Sequence, residues 1–138
     1  MSVRFPYLAV ASARGDSALT PLLPIELWVQ NQTPIRTHEL LDSGATVNVL
    51  PYALGLQIGA IWEAQKTTVT LTGNLALHEA RALILEGRVT NFPPVRLVFA
   101  WSRAEHVPLI PGQVNFFEHF NVSFRGVQRQ FETEPARE

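Results

Sequence analysis

Short alternations of apolar and polar residues, separated by turns, are the feature that most constrains the fold of this chain. Ile25, Leu27 and Val29 alternate with Glu26 and Gln30, which is the two-residue period of a strand with one buried face. The same period returns in Thr67–Thr72 and Val95–Trp101, and turn-forming residues such as Asn31–Pro34 lie between the segments. Strands so short and so close together predict an all-β fold, a sandwich or closed barrel, and not alternating strands and long helices.

One or two short helices are expected within this β pattern. Pro51–Gly55 has proline at its first position and glycine at its end, which predicts a short helix. Phe116, Phe117 and Phe120 have the spacing of an apolar face over one or two helical turns. We predict strands at 4–11 and 107–112, and hairpins over residues 25–41, 67–85 and 120–131. The second strands of the last two hairpins are predicted at Leu75–Leu85 and Val127–Phe131.

Composition limits the class of protein. The 138 residues predict a single domain over 1–138, with its core at about 20–133, and 46% apolar residues are ordinary for a globular protein. A net charge of −1 gives no basic field for nucleic acid or for a membrane surface. The chain has no cysteine, so disulfides and thiolate chemistry are excluded. No signal peptide or spanning segment is evident, and we expect a cytoplasmic protein.

Asp42 is the first residue at which to look for chemistry. It lies between the apolar pair Leu40–Leu41 and the small residues Ser43–Ala45. A carboxylate at the end of a buried strand is costly unless something uses or satisfies it. An aspartate that caps an ordinary turn would also explain the position, so Asp42 alone leaves both interpretations open.

Two motifs together resemble a known family. Asp42–Ala45, preceded by an apolar pair and followed by a β-branched run, resembles the active-site motif of aspartic peptidases. Downstream, Gly112, Phe116, Phe117 and Phe120 have the glycine–phenylalanine spacing of bacterial single-domain relatives of retropepsins. The chain is therefore similar to the retropepsin-like (single-domain, retroviral-type) aspartic peptidase family, and the likeness extends over most of residues 20–133.

The resemblance implies an activity and a set of site residues. It implies an aspartic endopeptidase with a polypeptide substrate and no cofactor or metal. The implied residues are the catalytic Asp42, the active-site turn Ser43, Gly44 and Ala45, the flap residues Thr72, Gly73 and Asn74, and the second apolar–glycine element with Ile110 and Gly112.

The chemistry implies two copies of the chain. Peptide hydrolysis by this route uses two carboxylates around one water, one accepting its proton and the other donating to the carbonyl oxygen. The only other aspartate, Asp16, lies in a polar turn without the motif, so the second carboxylate must be Asp42 of a partner in a homodimer. The terminal segments 3–10 and 127–133 are the candidates for the dimer interface.

The sequence departs from the family at two places. Pro111 stands where relatives have leucine or isoleucine, which removes a backbone donor and predicts an altered loop around Asp42. Gly73 is the single glycine of the flap, where relatives often have two or more. A catalytically inactive peptide-binding or dimerisation module of the same fold is therefore the main alternative, and an unrelated β-barrel is a third.

Other catalytic classes fit the sequence poorly. The segment His38–Asp42 resembles half of a His-Glu-x-x-His zinc motif, but the second histidine is missing and the segment is predicted to be a strand. Ser43 does not lie in the Gly-x-Ser-x-Gly turn of serine hydrolases.

Overall fold

A computed structural model of the chain describes residues 1–11, 15–41, 44–104 and 106–136. Asp42 and Ser43 lie outside the described residues. In the described part, the strands are β1 (Val3–Pro6), β2 (Leu8–Ala11), β3 (Ser17–Thr20), β4 (Leu22–Trp28), β5 (Ile35–Leu40), β6 (Asn48–Leu50), β7 (Thr68–Val69), β8 (Ala80–Arg88), β9 (Val95–Ser102), β10 (Phe120–Arg125) and β11 (Gln130–Pro135). The helices are α1 (Tyr52–Ile58) and α2 (Phe116–His119), with 3₁₀ turns at Trp62–Ala64 and Gly73–Leu77.

The strands of the described residues form three sheets. The main sheet has the order β5-β4-β8-β9-β6, with β7 attached to β8, and its pairs are antiparallel except for β6 with β9. A three-stranded sheet has the order β1-β11-β10, and β2 pairs with β3 alone. The predicted all-β class with two short helices is confirmed. The strands form separate sheets, however, and not a closed barrel.

The predicted first hairpin is confirmed as β4 and β5. Their register runs from Leu22 opposite Leu40 to Leu27 opposite Ile35. The turn is closed by a bond from the Gln32 N–H to the Val29 carbonyl (2.9 Å), and Asn31 takes the left-handed backbone conformation (φ 68°). Asparagine tolerates that conformation better than most residues, so the local sequence explains the turn.

The core combines side chains of the main sheet, of the three-stranded sheet and of the two helices. The largest fully buried side chains are aromatic: Trp101, Phe99, Phe116, Phe120 and Phe131. Each such side chain contributes about 2–3 kcal/mol by leaving water. The predicted inward face of Val95–Trp101 is confirmed for Leu97, Phe99 and Trp101, while Val95 at its edge is half-buried.

Helix α1 differs from the prediction at both ends. Pro51 precedes the helix in an extended conformation, and Gly55 lies inside the helix and not at its end. A Cβ on Gly55 would lie 2.3 Å from the Trp101 indole, so this glycine serves close packing. The helix ends instead at Gly59, whose φ of 102° is the left-handed conformation that favours glycine.

The other predicted strand segments differ from the structure in their bounds or in their conformation. The strand predicted at 4–11 is divided into β1 and β2, and the last strand runs from Gln130 to Pro135 and not from Val127 to Phe131. The segment predicted as a strand at 107–112 makes a single bridge, from Ile110 to Val49. The segment before β8 was predicted to be extended from Leu75, but it forms a 3₁₀ turn.

The two chain ends meet in the three-stranded sheet. β1 pairs with β11 from Val3 opposite Thr133 to Pro6 opposite Gln130. Arg4 reinforces the pairing through a hydrogen bond from its Nε to Oε1 of Glu132 (2.6 Å), and this bond lowers the pKa of Glu132. The terminal segments predicted for a dimer interface therefore pair with each other within one chain.

Candidate active-site loop

The connection from β5 to β6 carries the Asp42 motif, and its described ends are held in place. The Leu40 N–H donates to the Leu109 carbonyl (2.8 Å), and the Leu41 N–H donates to the Pro21 carbonyl (3.0 Å). Leu41 is buried, whereas Gly44 is exposed. The strand therefore ends in a fixed position directly before Asp42, which together with Ser43 lies outside the described residues.

The second apolar–glycine element runs beside the residues that follow the motif. Val49 and Ile110 exchange both backbone hydrogen bonds, at 2.8 and 3.0 Å. The Gln113 N–H donates to the Ala45 carbonyl (3.0 Å), and the Val114 N–H donates to the Thr46 carbonyl (2.8 Å). Ala45, Ile110 and the backbone next to Gly112 are thus brought together.

Gly112 permits the closest approach in this region. A Cβ at this position would lie 2.2 Å from the Val47 carbonyl carbon, and only glycine avoids that clash with backbone. Its N–H donates to Oδ1 of Asn48 (2.7 Å). The donors used here belong to residues 110, 112, 113 and 114, so Pro111 leaves this bracing intact. The alteration of the loop around Asp42 that the sequence predicts from Pro111 concerns residues outside the described ones, and it stays a prediction.

Two asparagines join the loop to the C-terminal helix, and sequence reasoning missed both. Asn48 donates through Nδ2 to the Val98 carbonyl (2.9 Å) and to Oδ1 of Asn115 (3.0 Å). The same Asn115 oxygen accepts from the Val98 N–H (2.9 Å). Asn115 precedes α2 and forms a capping box with Glu118. The available signal was one amide side chain, Asn48, within an otherwise apolar run.

The flap-like segment packs on the residues that follow the motif. β7 pairs with β8 through Thr68 opposite Arg81, and the buried Leu71 packs with Val49 and Ala100. Beyond it, the predicted flap residues Thr72, Gly73 and Asn74 are all exposed. Gly73 has a φ of 65° at the start of the 3₁₀ turn, where glycine is favoured. Thr72, Gly73 and Asn74 thus form an exposed turn directly after the buried Leu71.

Glu39, on the strand that leads to Asp42, is a buried carboxyl that the sequence reasoning did not single out. It lies opposite Leu23, is fully buried, and neither oxygen has a hydrogen-bond partner among the described residues. Burial raises the pKa of Glu39 well above its ordinary value and so favours the neutral form of this carboxyl. The available signal was strand alternation, which places Glu39 on the same face as Ile35 and Thr37.

Nothing in the described residues forms a metal centre or a membrane span. No group of three or more histidine, aspartate or glutamate side chains in that part of the chain is close enough to hold a metal ion. Its helices are all too short to cross a bilayer.

Comparison with known proteins adds a structural likeness. No family model matches the chain, and no curated protein matches it in sequence. In structure it is similar to a retropepsin-like aspartic protease from Rickettsia conorii, with a TM-score of 0.64 over 96% of this chain and 90% of that chain. The fold is retropepsin-like. Sequence identity to that protein is 11%, so the likeness concerns the fold alone.

Proposed function

We propose that this protein is an aspartic endopeptidase that works as a homodimer, with one Asp42 from each copy. The observation that carries the proposal is the braced connection between β5 and β6. It contains the Asp42–Ala45 motif, and the Gly112 element is hydrogen-bonded along its second half. The same connection belongs to a fold similar to that of a retropepsin-like aspartic protease.

The proposed chemistry assigns different roles to two identical residues. The ionised Asp42 takes a proton from the attacking water, while the protonated Asp42 donates to the carbonyl oxygen of the peptide bond. Two carboxylates about 3 Å apart cannot both be charged, so the pair holds one proton between them. Ser43 would hold the turn by a hydroxyl hydrogen bond, and Gly44 would let the backbone approach the carboxylate.

The dimer is required because the chain has one suitable acid. The only other aspartate, Asp16, is exposed directly before β3 and lacks the motif. A polypeptide substrate would bind extended between the two copies and form main-chain hydrogen bonds with the cleft and the flap. Thr72, Gly73 and Asn74 would cover it.

Hydrolysis of a denatured protein by purified chain at mildly acid pH tests this function. We expect the wild type and Asp16→Asn to cleave at the same rate, and Asp42→Asn to lose cleavage. Equal cleavage by Asp42→Asn would refute the role of that residue. No cleavage by a folded, dimeric wild type would favour the inactive peptide-binding or dimerisation module.

A further inference from the structure

The main sheet has a gap along one edge of β8, which we call the β8 notch. β8 pairs with β4 as far as Trp28 opposite Glu86, and with β7 at Thr68 opposite Arg81. The Ala82 N–H still donates to the Thr67 carbonyl (2.8 Å). Among the described residues, no strand covers the edge between Ala82 and Glu86.

The backbone of Ile84 faces into the notch. Ile84 lies opposite Val98 on β9, but the Val98 N–H and carbonyl are both bonded on the other side, to Asn115 and Asn48. Opposed residues of an antiparallel pair either exchange both hydrogen bonds or neither. The N–H and carbonyl of Ile84 therefore point away from β9, in the direction of the Ala82 N–H. In the described part of the chain neither group of Ile84 has a partner across the notch.

The walls of the notch are mainly apolar. The cavity at this position has a volume of about 550 Å³. Ile61, Ile84 and Val98 line it and remain 62%, 57% and 44% exposed, respectively. Lys66 is the single charged side chain among its described lining residues. The surface thus combines a free backbone donor and acceptor, apolar side chains and one positive charge.

We propose that the β8 notch binds the C-terminal end of an extended polypeptide whose last side chains are apolar. A free N–H and carbonyl at strand spacing are complementary to another backbone, which adds as a short strand. The β8 notch is closed at one end by the turn after β4 at Val29–Gln32, and at the other by the segment before β7 at Lys66–Thr67. A chain that terminates in the notch fits this space, and its carboxylate complements Lys66.

Amide hydrogen exchange, followed residue by residue by NMR, tests the backbone pairing. The probe is the acetylated peptide Ser-Thr-Val-Ile-Val with a free carboxylate. In the free protein we expect the Ile84 amide to exchange rapidly, and the Leu83 and Leu85 amides, which face β9, to exchange slowly. Saturating peptide should slow exchange at Ile84 by at least about tenfold and leave Leu83 and Leu85 unchanged.

Peptide affinity tests the chemistry of the occupant. We expect Ile84→Lys to weaken binding by about tenfold or more, because the apolar contact between the isoleucine side chain and the peptide is lost. Lys66→Gln should weaken the free acid by about threefold to tenfold and leave the amidated peptide unchanged. Val127→Lys, an exposed apolar position in the turn after β10, should bind as the wild type does.

Four results would overturn the proposal. In hydrogen exchange, it is an Ile84 amide that is already protected in dilute free protein. In the affinity measurements, they are no saturable binding at millimolar peptide, equal binding of the free-acid and amidated peptides, and binding to Ile84→Lys as tight as to Val127→Lys. Protection of Ile84 that increases with protein concentration, without peptide, would identify a second copy of the chain as the occupant.

Discussion

Replacement of Glu39 by glutamine should change how stability depends on pH. Because burial raises the pKa of Glu39 well above the ordinary 4.5, the folded protein retains a proton that the unfolded chain loses. Below the unfolded-state pKa both states are protonated, and the carboxyl adds no pH dependence. Above it, and up to the folded-state pKa, the wild type loses about 1.4 kcal/mol of stability per pH unit. Glutamine has nearly the same shape and does not ionise, so Glu39→Gln lacks this loss.

Urea denaturation at several pH values from about 4 to 7 measures the effect. The difference in unfolding free energy between Glu39→Gln and wild type should be small near pH 4. As the pH rises, it should grow in favour of the variant by about 1.4 kcal/mol per pH unit. Glu134→Gln, at an exposed carboxyl of β11, is the control for the loss of a carboxyl outside the core. A difference for Glu39→Gln that stays constant with pH would refute the inference that burial raises the pKa of this carboxyl.

Two further predictions concern the bracing of the loop. Gly112→Ala should destabilise the protein by about 1–3 kcal/mol or more, because its Cβ meets the Val47 backbone at 2.2 Å. Thermal denaturation measures the effect, with Gly126→Ala as the control, because a Cβ there meets nothing within 4 Å and the change should be nearly neutral. Equal melting temperatures for the two variants would contradict the close packing of Gly112 against Val47. Asn48→Ala should cost about 3 kcal/mol in urea denaturation, since the Gly112 N–H and the Val98 carbonyl lose their partner. Asn121→Ala, on the exposed face of β10, should cost less than about 0.5 kcal/mol, and a similar small cost for Asn48→Ala would argue against the network.

The sequence predicted those elements whose determinants are local. Alternating side chains and an Asn-containing turn specify the β4–β5 hairpin, and both act within a few residues. Gly55 shows the limit of local signals. Glycine commonly ends a helix, but here it faces Trp101, a contact between residues far apart in the chain. The extended prediction from Leu75 also failed, since Gly73–Leu77 forms a 3₁₀ turn after the buried Leu71.

Part of the site could also be predicted from the sequence, because its motifs are local. The resemblance singled out the Asp42 motif and the Ile110–Gly112 element, and in the structure Gln113 and Ile110 form backbone hydrogen bonds with Ala45 and Val49. The Asn48–Asn115 pair bonds the edge of β9 at Val98, an edge that only the assembled sheet creates. Because the Val98 backbone is bonded on that side, the backbone of Ile84, opposite Val98, has no partner on β9.

The most direct test of the proposed function is a mixing experiment with wild type and Asp42→Asn. The two chains are mixed in equal amounts, allowed to exchange subunits, and assayed for hydrolysis of a denatured protein at fixed wild-type concentration. If each active site needs Asp42 from both copies, random pairing should reduce the rate to about half of that of wild type alone. Asp16→Asn as the added chain should cause no reduction. An undiminished rate with added Asp42→Asn, despite demonstrated subunit exchange, would contradict a site shared between two copies.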